Sequence, residues 1–251
     1  MKHPISLQLY SVRDTAKDDF YGVLKRVAEY GYKGVEFAGL HGKDPKEVRK
    51  VLDDLGLVAS STHGPVPNAE NLSEVVDAAK TLGYDMVIAG RGRDQFKTVD
   101  QIKAVAADFQ AGAELLKEHG LRMGYHNHWW EFNEVDGRLG YEILMELAPD
   151  MFSQMDTYWA SNFGAVDVPA MVAKYKDRLP NLHIKDGPLV EGEPHTAVGA
   201  GKMDVPAVVN AADPDVLEWL VVELDACATD MHQAVKESCQ YLVESGLGVG
   251  R

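Results

Sequence analysis

Eight times along the chain, a short β-rich run hands over to a helical stretch. "ISLQLYS" (5–11) precedes an amphipathic stretch from Asp18 to Tyr30. "GVEFAG" (34–39) precedes "DPKEVRKVLDDLG", which opens with Asp44 as a cap and Pro45 in the first turn and closes at Gly56. "LVASSTHG" (57–64) precedes "NLSEVVDAAKTLG", and "DMVIAGR" (85–91) precedes a long helix from Val99 to His119, ended by Gly120. The second half repeats the pattern. "LRMGYHNH" (121–128) precedes a helix near 140–147, and "FSQMDTYW" (152–159) precedes "DVPAMVAKYKDRL". "NLHIKDG" (181–187) leads through a loop to a helix opening at Asp204, and "EWLVVELD" (218–225) precedes a last helix from Asp230 to Glu244. Units of roughly 30 residues are the size of a βα repeat. Eight of them in a chain of 251 residues predict a closed (β/α)8 TIM barrel, one domain spanning 1–251. An open doubly wound sheet is the alternative, but no G-x-G-x-x-G follows the first strand.

Alternation within the strands then sorts side chains between the helices and the lumen. Ile5, Leu7 and Leu9 lie opposite Ser6, Gln8 and Tyr10; Val35 and Phe37 lie opposite Glu36. Met123 and Tyr125 lie opposite Gly124, His126 and His128. Leu182 and Ile184 lie opposite His183 and Lys185, and Val222 and Leu224 opposite Glu223 and Asp225. The apolar face packs on helices, so the polar face lines the lumen. Its ionisable members come late in each strand: Glu36, His63, Arg91, His126 with His128, Asp156 near Trp159, His183 with Lys185, and Glu223 with Asp225. Barrels do their chemistry at that end. Taken singly, each residue has a structural reading, such as a hydrogen-bonded turn or a helix cap. Buried charges are costly unless paired or bound to metal, so a merely structural rim would not collect so many.

Imidazole and carboxylate together suit a divalent ion such as Mn²⁺, Zn²⁺, Co²⁺ or Mg²⁺. Asp156, His183 and Glu223 come late in consecutive strands and form an arc that His126 extends. No two-histidine helix motif or C-x-x-C pair is present, so only the fold can assemble such a site. A metal of this kind polarises a carbonyl and favours loss of the neighbouring proton. His126 or Glu223 would take that proton, and Lys185 would steady a developing oxyanion or anchor the substrate. His126 cannot ligate and act as base through one nitrogen. Trp129, Trp130 and Trp159 are candidates for stacking on the ring of a small ligand, against a plainer packing role for each. The loop "AVGAGKMD" (197–204) offers glycine amides and Lys202 to a phosphate. It lacks P-loop spacing, and a turn is the plainer reading.

The segments "LQLYSVRD", "GYKGVEFAG", "YHNHWWEF", "DTYWA", "LHIKDG", "VGAGKMDVPA" and "VVELD" resemble the sugar phosphate isomerase/epimerase group, with its xylose-isomerase-like TIM barrel. The resemblance runs from the first strand to the last and lies in the combination of segments. It implies a metal held by a Glu on strand 5, an Asp on strand 6, a His on strand 7 and a Glu on strand 8. The last three map onto Asp156, His183 and Glu223; the first is replaced by His126, in His126-Asn127-His128 where relatives have Glu-Asn-His. The implied activity is metal-dependent isomerisation or epimerisation of a sugar or keto-sugar through an enediolate. Its catalytic residues are His126, Glu223 and Lys185, with Glu36, His63, His128, Trp159 and Lys185 around the substrate. The alternative is a keto-sugar or inosose dehydratase or lyase using the same enediolate, favoured by the missing strand-5 carboxylate. An apurinic endonuclease and a non-catalytic sugar-binding barrel are weaker fits.

The remaining totals bound partners and setting. A formal net charge of −14 argues against nucleic acid and anionic membrane surfaces as partners. The N-terminus "MKHPISLQLYSVRD" has no signal-peptide pattern, and no apolar run approaches membrane-spanning length. Cys227 and Cys239 are expected to be reduced thiols rather than a disulfide framework. These features fit a cytoplasmic protein acting on a small sugar; a homo-oligomer is compatible with all of them.

Overall fold

The computed structural model describes residues 2–251. Each of the eight expected units supplies one parallel strand: β1 His3–Gln8, β2 Gly34–Phe37, β3 Val58–His63, β4 Met86–Ala89, β5 Arg122–His126, β6 Phe152–Asp156, β7 Asn181–Ile184 and β8 Trp219–Val222. Each strand pairs with the next, and β8 returns to β1 with Leu7 opposite Val222, which closes the barrel. The outer helices are α1 Phe20–Glu29, α2 Pro45–Leu55, α3 Leu72–Leu82, α4 Val99–Lys117, α5 Gly140–Leu147, α6 Val168–Tyr175, α7 Val205–Asn210 and α8 Met231–Glu244. Among the described residues no helix is long and apolar enough to cross a membrane, and both cysteines are free.

Local chemistry sets these boundaries. Asp44 accepts from the amides of Lys46 and Glu47, Pro45 fills the first turn of α2, and Gly56 ends it in the left-handed region at φ 61°. Asp167, Asp204 and Asp230 cap α6, α7 and α8 in the same way. The stretch expected as one helix from Asp18 is broken, because Asp19 leaves the helical region (φ −141°, ψ 72°) and caps α1 through the Gly22 amide; a separate helical segment, Arg13–Asp18, precedes it. The strands are shorter than the β-rich runs suggested. After Asp156 the chain turns at once into a short helix, Thr157–Ala160, and β7 stops at Ile184, so Lys185 and Asp186 lie beyond it.

The expected division of faces holds. Ile5, Leu7, Val35, Met123, Leu182, Ile184 and Val222 belong to the main apolar core with the helices. Inside the barrel the residues stack in layers. The floor is a separate apolar cluster of Met86, Ile88 and Phe152, backed by Trp219. Gly124 makes room for it, since a Cβ there would meet the Phe152 ring at 2.3 Å. Above it lies a polar layer of Gln8, Glu36, Ser61, Gln154 and His183, all fully buried. Opposite Val35 and Glu36, the partners on β3 are Ala59 and Ser61. The skipped residue, Ser60, forms a β-bulge, and Ser61 reaches Glu36. The ionisable groups of the strand ends form the top layer.

Candidate active site

Four strand ends bring His126, Asp156, His183 and Glu223 together. One ligand atom from each lies within 4.8 Å of the others, and all four residues are buried. Their neighbours explain how such charge is tolerated. Lys185 Nζ lies 2.9 Å from Asp156 Oδ2, 2.8 Å from Glu223 Oε2 and 2.7 Å from Asp225 Oδ2. Burial alone would lower the lysine's pKa, but these three carboxylates outweigh it and hold the value well above the ordinary one. Asp156 divides its oxygens. Oδ1 accepts the Trp159 amide at 2.9 Å and caps the short helix; Oδ2 is buried and has no hydrogen-bond partner, the lysine being close but badly angled. Burial pushes this carboxyl up to about 6 against the pull of Lys185.

His183 sits between two carboxylates, with Nε2 2.6 Å from Glu36 Oε1 and Nδ1 3.0 Å from Glu223 Oε2. Burial would lower its pKa, but Glu36 and Glu223 prevail and raise it to about 10. His126 goes the other way: burial, then the charges of His183 and His63, hold it well below the ordinary value. Burial would raise Glu223, yet Lys185 and His183 keep it well below the carboxylate range. An orphaned carboxylate oxygen beside two imidazoles and a second carboxylate is a donor set for a small divalent cation. The residues fit the ion expected from the sequence.

Above this cluster a cavity of about 580 Å³ opens between Tyr10, His63, Arg91, His128 and Trp130, with His126 and Glu223 on its floor. The His128 and Trp130 rings stack at 4.2 Å and 10°. Burial, then the charge of Lys185, lowers His128 to about 4, so it faces the cavity as a neutral imidazole. Several expected substrate contacts are placed differently. Glu36 has no exposed surface, and its oxygens are taken by Gln8, Ser61, Gln154 and His183 beneath the cluster. Trp159 is not on the cavity wall; it packs near His195, 5.4 Å under the Lys185 ammonium. Trp129 packs on Phe163 and Arg93. Lys185 is itself buried, bound to the carboxylates rather than pointing outward. His63 does reach the cavity.

The glycine loop does not wait for a phosphate. Asp186 fills it: Oδ1 accepts from the amides of Gly187 and Met203, Oδ2 from those of Gly199 and Gly201, at 2.8–3.1 Å. A Cβ on Gly201 would fall 2.0 Å from that carboxylate.

Sequence reasoning passed over four residues. Gln154 links His63, His126 and Glu36; its polarity at mid-strand, two residues before Asp156, was the available signal. Tyr10 stood on the lumen face of the first run. Glu131, fully buried, accepts from the Tyr125 hydroxyl and the His128 amide, and burial pushes it up to about 8. His195, in the loop after β7, accepts the Asp225 amide on Nδ1, while its buried Nε2 has no partner. No pattern in the sequence marks the last two.

Comparison with known proteins agrees with this architecture. The chain is 24% identical over 246 residues to an inosose dehydratase of Geobacillus kaustophilus (strain HTA426), covering 81% of this chain and 79% of that one. The crystal structure of a sugar phosphate isomerase/epimerase from Parabacteroides distasonis ATCC 8503 superposes with a TM-score of 0.77 at 25% identity, over 96% of this chain and 94% of the other. The IolI protein, crystallised with a zinc atom, shares the fold at a TM-score of 0.72 and 11% identity, with 98% of each chain covered. The family model of the xylose isomerase-like TIM barrel matches residues 24–245, nearly the whole barrel, and the chain belongs to that family.

Proposed function

We propose that the protein is a metal-dependent enzyme that removes the proton next to the carbonyl of a sugar or keto-sugar. The observation that carries this reading is the buried cluster of His126, Asp156, His183 and Glu223, of which His126 and Glu223 reach the floor of the cavity. A bound divalent ion would polarise the carbonyl and neighbouring hydroxyl and stabilise the enediolate that follows proton loss. The chain's own residues do the rest. Lys185 neutralises Asp156 and Glu223 so that both stay in place without full mutual repulsion. Glu223 engages Lys185 and His183 through Oε2, which lowers its basicity, but it is the carboxylate of the cluster that lines the cavity, and on that placement we assign it the proton. His126 donates from Nδ1 to Gln154, so it has one lone pair to give and serves as ligand rather than base. His128, Trp130, Tyr10 and Arg91 hold the sugar.

A second reading uses the same first step. Two-base epimerisation wants an acceptor on each face of the carbon, and His126 stands where relatives place the second carboxylate. Expulsion of a β-hydroxyl, as in a dehydratase, needs only one. The likeness to an inosose dehydratase supports this branch. Both branches are tested by incubating the metal-loaded enzyme with ketoses, keto-sugars and inososes in D₂O and following products by NMR. Deuterium at the carbon next to the carbonyl with retained hydroxyls marks isomerisation or epimerisation; an unsaturated or dehydrated product marks elimination. No exchange at that carbon in any substrate would defeat the proposal.

A further inference from the structure

We propose that Glu36 is a positioning residue that sets the tautomers of both imidazoles at the site, His183 directly and His126 through Gln154. The inference builds on the metal reading above and concerns groups beneath the cluster. It follows from which atoms can donate. Glu36 Oε1 lies 2.6 Å from both Gln8 Nε2 and His183 Nε2. Its Oε2 lies 2.5 Å from Ser61 Oγ and 2.6 Å from Gln154 Nε2. A carboxylate only accepts, so each partner turned toward it must donate. His183 therefore carries a proton on Nε2; Nδ1, facing the Glu223 carboxylate at 3.0 Å, donates as well in the metal-free protein and is the nitrogen that would give up its proton to a cation, because Glu36 holds the other.

The same rule propagates one residue further. Gln154 shows its amide N–H₂ to Glu36, which turns its Oε1 the other way. That oxygen lies 2.7 Å from His63 Nε2 and 3.1 Å from His126 Nδ1. An amide oxygen also only accepts, so His126 must hold its proton on Nδ1 and present its lone pair on Nε2. This is the tautomer that a free histidine side chain disfavours in water. Gln8 cannot take over the anchor's place, because its own Oε1 is held by the Tyr10 amide. The carboxylate–histidine arrangement familiar around bound metals is thus extended here by an amide to a second histidine. Replacing Glu36 by Gln would put an N–H₂ among donors and free Gln154 to reverse.

The test reads tautomers and zinc separately. Long-range ¹H–¹⁵N NMR on histidine-labelled, metal-free protein at pH 7.5 is expected to show His126 as the Nδ1–H form. In Gln154→Met the His126 signals should move to a tautomer mixture, and in Glu36→Gln likewise. Zinc affinity, measured by competition with a chromophoric chelator, should fall tenfold or more in Glu36→Gln, within the 10–100-fold range of outer-sphere losses. An Nε2–H His126 in the wild type, an unmoved His126 in Gln154→Met, or zinc affinity in Glu36→Gln within twofold of wild type would overturn the inference. If Glu36→Gln does not fold by circular dichroism, the Gln154→Met spectrum decides. A wild-type protein that takes up no zinc and no other divalent ion would defeat the metal reading, and the His126 spectrum would still judge the relay.

Discussion

Replacing Lys185 by Met removes one positive charge from among three carboxylates while keeping most of the side chain's bulk. The lysine is buried, and its ammonium lies within 2.9 Å of Asp156, Glu223 and Asp225. Breaking a buried ion pair from one side costs about 3–5 kcal/mol, because the other charge stays buried and uncompensated. Asp156, already up at about 6, can relieve part of this by taking a proton near neutral pH, so the low end of that range applies there. For a chain of this size each kcal/mol moves the Tm by about 2–4 °C, so the metal-free variant should melt roughly 6–12 °C below the wild type at pH 7.5. A divalent ion held by Asp156 and Glu223, as proposed, would supply the missing charge. The rise in Tm on adding Mn²⁺ or Zn²⁺ should therefore be larger in Lys185→Met than in the wild type, while turnover falls. The assay is thermal unfolding by circular dichroism, with EDTA and with added metal. A metal-free Tm within 2 °C of wild type, or an equal metal-induced rise in both proteins, would refute the electrostatic account of this lysine.

Glu223→Gln, Asp156→Asn and His183→Ala should each lower the metal content of the purified protein sharply, as read by elemental analysis; full occupancy in all three would remove the proposed site. His126→Ala should lose metal and His126→Glu recover part of it, whereas His126→Ala with full metal and no α-proton exchange would reassign His126 as the base. Glu131 supplies a pH effect. Between its ordinary 4.5 and about 8 the folded chain keeps a proton that the unfolded chain has lost, so stability falls as pH rises through that window. The shift sets an upper bound of about 5 kcal/mol on that fall. Glu131→Gln, which mimics the protonated acid, should flatten the difference in urea unfolding between pH 5 and pH 8.5; identical slopes in variant and wild type would exclude Glu131 as the source.

Much of the barrel could be read from the chain because its cause is local. Alternation put Glu36, His126, His183 and Glu223 on the lumen side, and the handover from strand to helix put them at one end. What the sequence could not show depends on distances between residues far apart in the chain. Nothing in "GVEFAG" says that Glu36 is covered by Gln8, Ser61, Gln154 and His183, so a residue expected at the substrate lies beneath the cluster instead. Lys185, expected to steady an oxyanion or anchor the substrate, follows a strand that ends at Ile184, and its ammonium turns into the carboxylates. Trp159 lies off the cavity wall for a related reason. The strand ends at Asp156, so the tryptophan belongs to a helical turn rather than to the rim.

The carboxylate of Asp186 ties loop 197–203 to the end of β7 at three amides, only three residues from His183. Hydrogen bonds to an ionised group contribute about 1.5–3 kcal/mol each, so swinging this loop aside would mean losing several at once. It behaves as fixed wall, not as a door. Access to the cavity is then on the other side of the same rim, past Tyr10, Arg91 and Trp130, which line it. Slow amide exchange should be concentrated at Gly199, Gly201 and Met203, and any gating of turnover should be sought in the segments that carry the other three residues.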